Sequence, residues 1–243
     1  MHLRAVILAL VVLAGMIPPE GAGAQTRYTS SSTGLYWEWG SFRDGCNGDC
    51  ALTVFGGRHT SVRMTSAFGI ADFTNGDFGF VPMVPVWDWP WEDTGLVGGA
   101  YSRRLASFGY EPWGDLFDIE AELGIAQRFG DQDETEVWGA LYFRWKAFPW
   151  NSLLYTTVGV STGLSYASGV SDWEKGTSGT NEGSRLLHYL SPEITFALPD
   201  RRDRELVFRF HHRSGGGDFF ASDIFNHADG GSNYATVGLR FRF

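Results

Sequence analysis

The chain has 243 residues, with 28 acidic and 19 basic side chains and a formal net charge of −9. This balance argues against a nucleic-acid partner, because binding to phosphates requires a basic surface. Aromatic residues make up 16% of the chain, and 32 residues are Gly. No apolar run after the first 24 residues reaches the ~18 residues of a transmembrane helix. High aromatic and glycine content without such a run is typical of a β-barrel with aromatic girdles.

Residues 1–24 are predicted to be a signal peptide. Arg4 precedes an apolar run over residues 5–16, and Ala22-Gly23-Ala24 forms a small-x-small cleavage site. An exported chain meets an oxidising compartment, so Cys46 and Cys50 are expected to form a disulfide. A metal-binding pair is the alternative, for which His59 is the nearest further ligand. Residues 25–50 are interpreted as an irregular N-terminal arm that carries this disulfide.

Residues 51–243 are predicted to form one all-β domain, an eight-stranded antiparallel transmembrane β-barrel. The predicted strands cover residues 51–58, 95–107, 116–129, 134–147, 153–168, 185–198, 204–214 and 233–243, and the first could resume over 61–64. Most exceed the ~9–11 residues that cross a bilayer when tilted. Glycine, proline, asparagine and aspartate fill the breaks, as turns require.

Residues 73–93 interrupt this regular pattern. Pro82, Pro85 and Pro90 argue against a central strand. Trp87, Trp89 and Trp91 alternate within the same segment. We interpret the segment as a packed loop or an interfacial aromatic belt. A carbohydrate-binding platform is the alternative, supported by the tryptophans alone.

Alternation along the strands predicts a polar interior and an apolar exterior. Glu120 and Glu122 share one face of the third strand, opposite Ile119 and Leu123. A soluble β-sandwich would also alternate, but the signal peptide, the strand lengths and the terminal Arg240-Phe241-Arg242-Phe243 favour an outer-membrane barrel. Side chains fill the interior of an eight-stranded barrel, which argues against a diffusion channel.

The seventh predicted strand ends in a polar pair on its apolar face. His212 and Ser214 follow Leu206, Phe208 and Phe210 on that face, because side chains of a strand alternate with period 2. Antiparallel pairing with the eighth strand brings Asn233 to the same rim. Counted from a periplasmic amino terminus, that rim is the external one. His211 points to the opposite face, where Glu120 or Glu122 is its expected partner.

These residue types suit acyl transfer. A serine hydroxyl becomes nucleophilic when histidine removes its proton, and a third group holds the imidazole. We therefore predict Ser214 as nucleophile, His212 as base and Asn233 as the orienting group. The backbone N–H groups of Gly215 and Gly216 are predicted to stabilise the oxyanion. Asp218, Asp223 and Asp229 are alternative orienting residues.

The signal peptide, eight strands and His-x-Ser on the penultimate strand resemble the PagL-type lipid A 3-O-deacylases, also called acyloxyacyl hydrolases. The resemblance is strongest over residues 204–243. It implies His212 as base and Ser214 as nucleophile on the outer face of the barrel. Two positions differ from the family pattern: Gly215 replaces the usual asparagine, and Asn233 stands near the place of the acidic triad member.

The predicted function is hydrolysis of an ester-linked acyl chain of lipid A, in lipopolysaccharide of the outer leaflet of a bacterial outer membrane. No metal or organic cofactor is required for this chemistry, although calcium dependence stays open, as does homodimerisation. The alternatives are a non-catalytic structural or adhesion barrel, and a small-molecule channel or ligand-binding barrel.

Overall fold

The computed structural model describes residues 27–29, 33–40, 45–69, 71–72, 79–80, 82–175, 183–215, 225–226, 228 and 230–243. The predicted signal peptide lies outside the described residues, and so do Gly216, Asp218, Asp223 and Asp229. The described chain is almost entirely antiparallel β-structure.

Thirteen strands are found in the described residues, together with one short α-helix and two 3-10 helices, Val86–Asp88 and Asp172–Glu174. The strands are β1 (Arg27–Thr29), β2 (Leu35–Trp39), β3 (Cys50–Thr60), β4 (Ala71–Asp72), β5 (Gly79–Phe80), β6 (Trp91–Tyr110), β7 (Gly114–Gly130), β8 (Thr135–Trp145), β9 (Tyr155–Ala167), β10 (Leu186–Leu190), β11 (Pro192–Ala197), β12 (Arg204–Ser214) and β13 (Gly231–Arg242). The helix α1 covers Met64–Phe68.

Eight strand positions form a closed ring that is joined by backbone hydrogen bonds. The ring runs β3, β6, β7, β8, β9, then β10 and β11 together, then β12 and β13, and β13 pairs with β3. β10 and β11 occupy one position, because both pair with β9 on one side and β12 on the other. The predicted antiparallel ring of eight strands is therefore confirmed. The break between β10 and β11 at Ser191 was not predicted.

The amino-terminal arm is more regular than predicted. β1 and β2 pair antiparallel, and β2 extends the sheet along β6, from Tyr110 to Ala106. β3 pairs with the preceding part of β6, so both strands share one edge of this long strand. A disulfide joins Cys46 and Cys50 at this end of the ring, with their Cα atoms 5.1 Å apart.

The connection between β3 and β6, residues 61–90, is called the β3–β6 loop below. The expectation that the first strand resumes over 61–64 is wrong, because helix α1 begins at Met64. Gly69 ends this helix in the left-handed conformation, with φ of 62°. The N–H of Val84 donates to the carbonyl of Ser66, which ties the end of the loop to the helix. The described part of the loop is thus packed.

Ionised side chains fill the ring interior. Glu193 accepts from Arg144 at 2.8 Å, from Arg209 at 2.8 Å and from Arg240 at 2.7 Å. A second group joins Arg128 to Glu136 at 2.7 Å and to Glu174 at 3.0 Å. Glu193 is shared among three guanidinium groups and Arg128 contacts two carboxylates, so the buried charges compensate one another. The predicted polar interior is confirmed.

The outer wall carries the apolar residues of the same strands. Exposed aliphatic and aromatic side chains surround it: Leu52, Val54, Val97, Leu123, Ile125, Leu141, Val158, Val160, Leu164, Leu206, Phe208, Val237 and Leu239. So many exposed apolar side chains on one wall are unusual for a monomeric soluble protein, which exposes only small apolar patches. Among the described residues, no helix has the length and apolar character needed to span a membrane.

Candidate functional site

The site lies on the outer wall, where β12 ends beside the start of β13. The inward residues of β12 include Arg209, His211 and Arg213, all of them buried. Alternation therefore turns His212 and Ser214 outward. The register pairs His212 with Asn233 and Ser214 with Gly231. The interior ion pairs of β12 fix the strand that presents these outward side chains.

A chain of three hydrogen bonds links the polar side chains of the site. His212 Nε2 lies 3.0 Å from Ser214 Oγ, and His212 Nδ1 lies 2.5 Å from Asn233 Oδ1. Asn233 Nδ2 donates to the backbone carbonyl of Val62 at 2.8 Å. Each of the three side chains is therefore held by the next.

The Val62 carbonyl determines which nitrogen of the His212 imidazole carries the proton. A carbonyl oxygen can only accept, so it requires the amide nitrogen of Asn233 and turns the amide oxygen toward His212. That oxygen also only accepts, so the proton of the neutral imidazole is placed on Nδ1. Nε2 then carries the lone pair facing Ser214, which is the tautomer that a general base needs.

Two glycines leave room for this arrangement. A Cβ atom on Gly231 would lie 2.8 Å from Ser214 Cβ and 3.4 Å from His212 Cε1. A Cβ atom on Gly215 would lie 1.7 Å from the carbonyl oxygen of Ala228. The N–H of Gly215 donates to the carbonyl of Gly230 at 3.4 Å, so it is directed into this connection. Gly216, the other predicted oxyanion donor, lies outside the described residues.

The β3–β6 loop packs against the outer wall beside the site. Phe210 faces outward in line with Phe208, yet it is only 4% exposed while Phe208 is 40% exposed. Phe68 and Trp89 cover Phe210 edge-on, with ring centroids 5.4 and 5.8 Å away. The same loop supplies the Val62 carbonyl to Asn233. The interpretation of residues 73–93 as a packed loop fits Trp89, whereas Trp87 is exposed and residues 91–93 belong to strand β6.

Two further histidines lie close to the site. His211 is inside the ring, as predicted, but its partner is not Glu120 or Glu122: Nε2 lies 3.0 Å from Glu136 Oε1. His188 of β10 is paired in register with Ser214. Its Nε2 lies 2.9 Å from Thr162 Oγ1 of the outer wall. The sequence pattern predicted His188 to be an ordinary strand or rim residue. Only its position on the outward face of the strand could have distinguished it from the other histidines.

The fold and the site define a closed, eight-stranded antiparallel barrel with a serine, histidine and asparagine constellation on its outer wall. The crystal structure of the outer membrane enzyme PagL has a similar fold, with a TM-score of 0.52 and 12% identity over 79% of this chain and 99% of PagL. The crystal structure of Neisserial surface protein A (NspA) matches with a TM-score of 0.44 and 11% identity, over 82% of this chain and 100% of NspA. No family model and no curated protein sequence matches the chain. At this identity the likeness to PagL shows a common fold.

Proposed function

We propose that this protein is an outer-membrane lipid A deacylase, which hydrolyses an ester-linked acyl chain of lipopolysaccharide with Ser214 as its nucleophile. The observation that carries the proposal is the hydrogen-bonded chain from Ser214 Oγ through His212 to Asn233 Oδ1, with distances of 3.0 and 2.5 Å. It lies on the outer wall of a barrel, in reach of molecules that surround the protein.

The distribution of polarity supports a membrane location. Charged groups are enclosed in the ring, whereas apolar side chains such as Leu206, Phe208 and Val237 are exposed. This is the reverse of a water-soluble domain and is typical of barrels that contact lipid. A strand of 11 residues such as β12 is long enough to cross a bilayer when tilted.

The position of the site supports a lipid substrate. Leu206 and Phe208 are exposed on the same face of β12 as His212 and Ser214, and Phe68 and Trp89 of the β3–β6 loop cover Phe210 between them. An acyl chain in the surrounding leaflet, beside this loop, would present its ester at the rim, where the hydroxyl of Ser214 is located. A substrate in the surrounding leaflet would reach the site by lateral diffusion. Lipid A is the acyl ester that the family resemblance implies.

The proposed reaction has two acyl-transfer steps. Ser214 Oγ attacks the ester carbonyl carbon while His212 Nε2 takes the hydroxyl proton. The tetrahedral intermediate then expels the sugar oxygen, which takes that proton from Nε2, and leaves an acyl-serine. Water attacks the acyl-serine with the same base, and the fatty acid is released as Nε2 returns the proton to Ser214. These steps use protein groups and water alone.

Asn233 is the orienting residue in this mechanism. Its amide, oriented by the Val62 carbonyl, holds His212 in the tautomer whose Nε2 is unprotonated. An amide stabilises the imidazolium less than a carboxylate does, because it carries no net charge. We therefore expect a lower kcat than an aspartate or glutamate at position 233 would allow.

Mass spectrometry of lipid A tests the proposal. Lipid A is incubated with the detergent-folded protein, with Ser214→Ala and with Ser152→Ala, which makes the same change in an exposed turn away from the site. We expect the wild type and Ser152→Ala to remove one acyl mass and Ser214→Ala to leave lipid A unchanged. Intact lipid A after incubation with folded wild-type barrel would contradict the proposal and favour a non-catalytic barrel.

A further inference from the structure

We infer that Glu174 is a positioning residue of the site, which acts from inside the ring on the strand segment that carries His212 and Ser214. Glu174 belongs to the connection between β9 and β10. Its side chain is buried and contacts inward residues of the ring. The inference rests on the proposed esterase function and adds a residue that supports the same site from the other side of the wall.

The local sequence explains why Glu174 is held against the ring. Ser171 caps the 3-10 helix Asp172–Glu174: its hydroxyl accepts from the N–H of Trp173 at 3.2 Å, and its own N–H donates to Glu174 at 3.5 Å. Such a capping box fixes the first turn of a helix. The ring of Trp173 packs on His59 of β3, with ring centroids 4.8 Å apart. The cap and this ring contact together place the helix at the mouth of the barrel.

A buried carboxylate requires partners, and those of Glu174 lie on three strands of the ring. Its Oε1 atom accepts from Arg128 of β7 at 3.0 Å and from the hydroxyl of Ser232 of β13 at 2.8 Å. The same atom lies 3.2 Å from Nε of Arg213 on β12. All of these side chains are fully buried. Glu174 therefore holds β12 and β13 together from within.

The two strand residues that this carboxylate contacts alternate with residues of the site. Arg213 stands between His212 and Ser214, and the register pairs it with Ser232, which precedes Asn233. Successive side chains of a strand share one backbone segment and point to opposite faces. A shift of the inner pair is therefore passed to the three outer side chains. Reactions are sensitive to such shifts, because a misplacement of ~1 Å caused far from the chemistry can lower a rate about 10²-fold.

Other contacts should keep the barrel folded when the carboxylate is removed. Nη2 of Arg213 donates to the backbone carbonyl of Arg185 at 2.9 Å. Arg128 retains its ion pair with Glu136 at 2.7 Å. Both guanidinium groups thus keep a partner without Glu174. The contact that is lost is the one that joins β12 to β13 beneath the site.

Kinetics of lipid A deacylation, measured per folded molecule, test the role of Glu174. We expect Glu174→Ala to lower kcat about 10–10²-fold with little change in KM, because it disturbs the alignment of the reacting groups and leaves the outer wall intact. Glu174→Gln keeps an oxygen that accepts from Ser232 and should recover part of this loss. Glu205→Ala is the matched control, since it removes another fully buried carboxylate at the opposite end of β12. It should lower the stability of the barrel and keep the wild-type kcat.

A second readout follows the serine without a lipid substrate. A fluorophosphonate phosphonylates an activated serine with loss of fluoride, so its labelling rate reports the alignment of Ser214 with His212. Glu174→Ala should slow this labelling, Glu174→Gln should slow it less, and Glu205→Ala should leave it unchanged.

The outcomes distinguish this inference from the proposed function. If Ser214→Ala is inactive while Glu174→Ala retains the wild-type kcat, the positioning role is overturned and the esterase stands. Equal losses in Glu174→Ala and Glu205→Ala would also overturn it, because the effect would then belong to any buried carboxylate of the ring. Folded wild-type protein that reacts with the fluorophosphonate but leaves lipid A intact rejects the lipid A deacylase, and the labelling rates of the Glu174 variants then decide the positioning role. Wild-type protein inert to both reagents rejects the esterase and the role of Glu174 together. A loss in Glu174→Ala that Glu174→Gln partly restores, and that Glu205→Ala lacks, supports the inference.

Discussion

His211 and His212 are adjacent in sequence and face opposite sides of the barrel wall. His211 is enclosed, with Nε2 on Glu136 at 3.0 Å and Nδ1 beside the hydroxyl of Tyr189 at 3.2 Å. His212 lies outside, between Ser214 and the amide of Asn233. One imidazole is thus held by a carboxylate among buried charges, and the other by a neutral amide beside a hydroxyl.

In the proposed function, one strand would serve stability with its inner face and chemistry with its outer face. The inward side chain of Arg209 bonds to Glu122 of β7 across the ring and to Glu193 of the neighbouring strand β11. Those contacts fix the backbone. The outward residues bond mainly to near neighbours and to the β3–β6 loop. A change on the inner face should therefore alter stability, and a change on the outer face should alter activity.

The largest expected effect is that of His212→Ala. Loss of the proposed general base should lower kcat about 10⁴- to 10⁶-fold while the barrel stays folded. The measurements are fatty acid release and the heat-modifiable migration of the folded barrel in gels. His211→Ala is the matched variant on the other face. It should lower the free energy of unfolding by about 1–3 kcal/mol and keep most activity per folded molecule. The reverse pattern would contradict the assignment of the two faces.

Asn233→Leu should have the next largest effect. It removes the group that holds Nδ1, and we expect kcat to fall by roughly 10²-fold with KM nearly unchanged. A rate equal to that of the wild type would show that Asn233 does not orient His212.

Asn233→Asp sharpens the same comparison through pH. A carboxylate favours the protonated imidazole, which is inactive as a base. The acidic limb of the rate profile should therefore move to higher pH in this variant. Asn233→Asp also removes the N–H group that donates to the Val62 carbonyl, so this variant should be less stable than the wild type. An unchanged pH profile would contradict direct contact between residue 233 and the catalytic base.

Trp89→Ala should have the smallest effect of these four substitutions. Trp89 packs on Phe210, and Phe210 precedes His212 by two residues on the same face. Its loss should loosen the β3–β6 loop and lower kcat/KM about tenfold through the positioning of Asn233. Trp87→Ala is the control, because Trp87 is 79% exposed in the same segment. Equal effects of the two substitutions would contradict a specific role for the loop packing.

Much of the barrel could be predicted from the sequence, because period-2 alternation is a local property. The predicted strand over residues 204–214 coincides with β12, and the strand over 116–129 lies within β7. The β1–β2 hairpin was missed, since its pairing partner is the distant end of β6. The burial of Phe210 was missed for a similar reason. Alternation along β12 predicts that Phe210 is exposed, but residues of the β3–β6 loop cover it.

The same division applies to the site. The sequence alone was enough to place His212 and Ser214 on one face of a strand and to bring Asn233 to the same rim, because side-chain direction and antiparallel pairing follow from local pattern. Only the tertiary structure decided that Val62 orients the Asn233 amide, that Glu136 is the partner of His211, and that His188 stands opposite Ser214. Those contacts depend on ring closure, strand register and loop packing, which join residues far apart in the chain and are set by the whole fold.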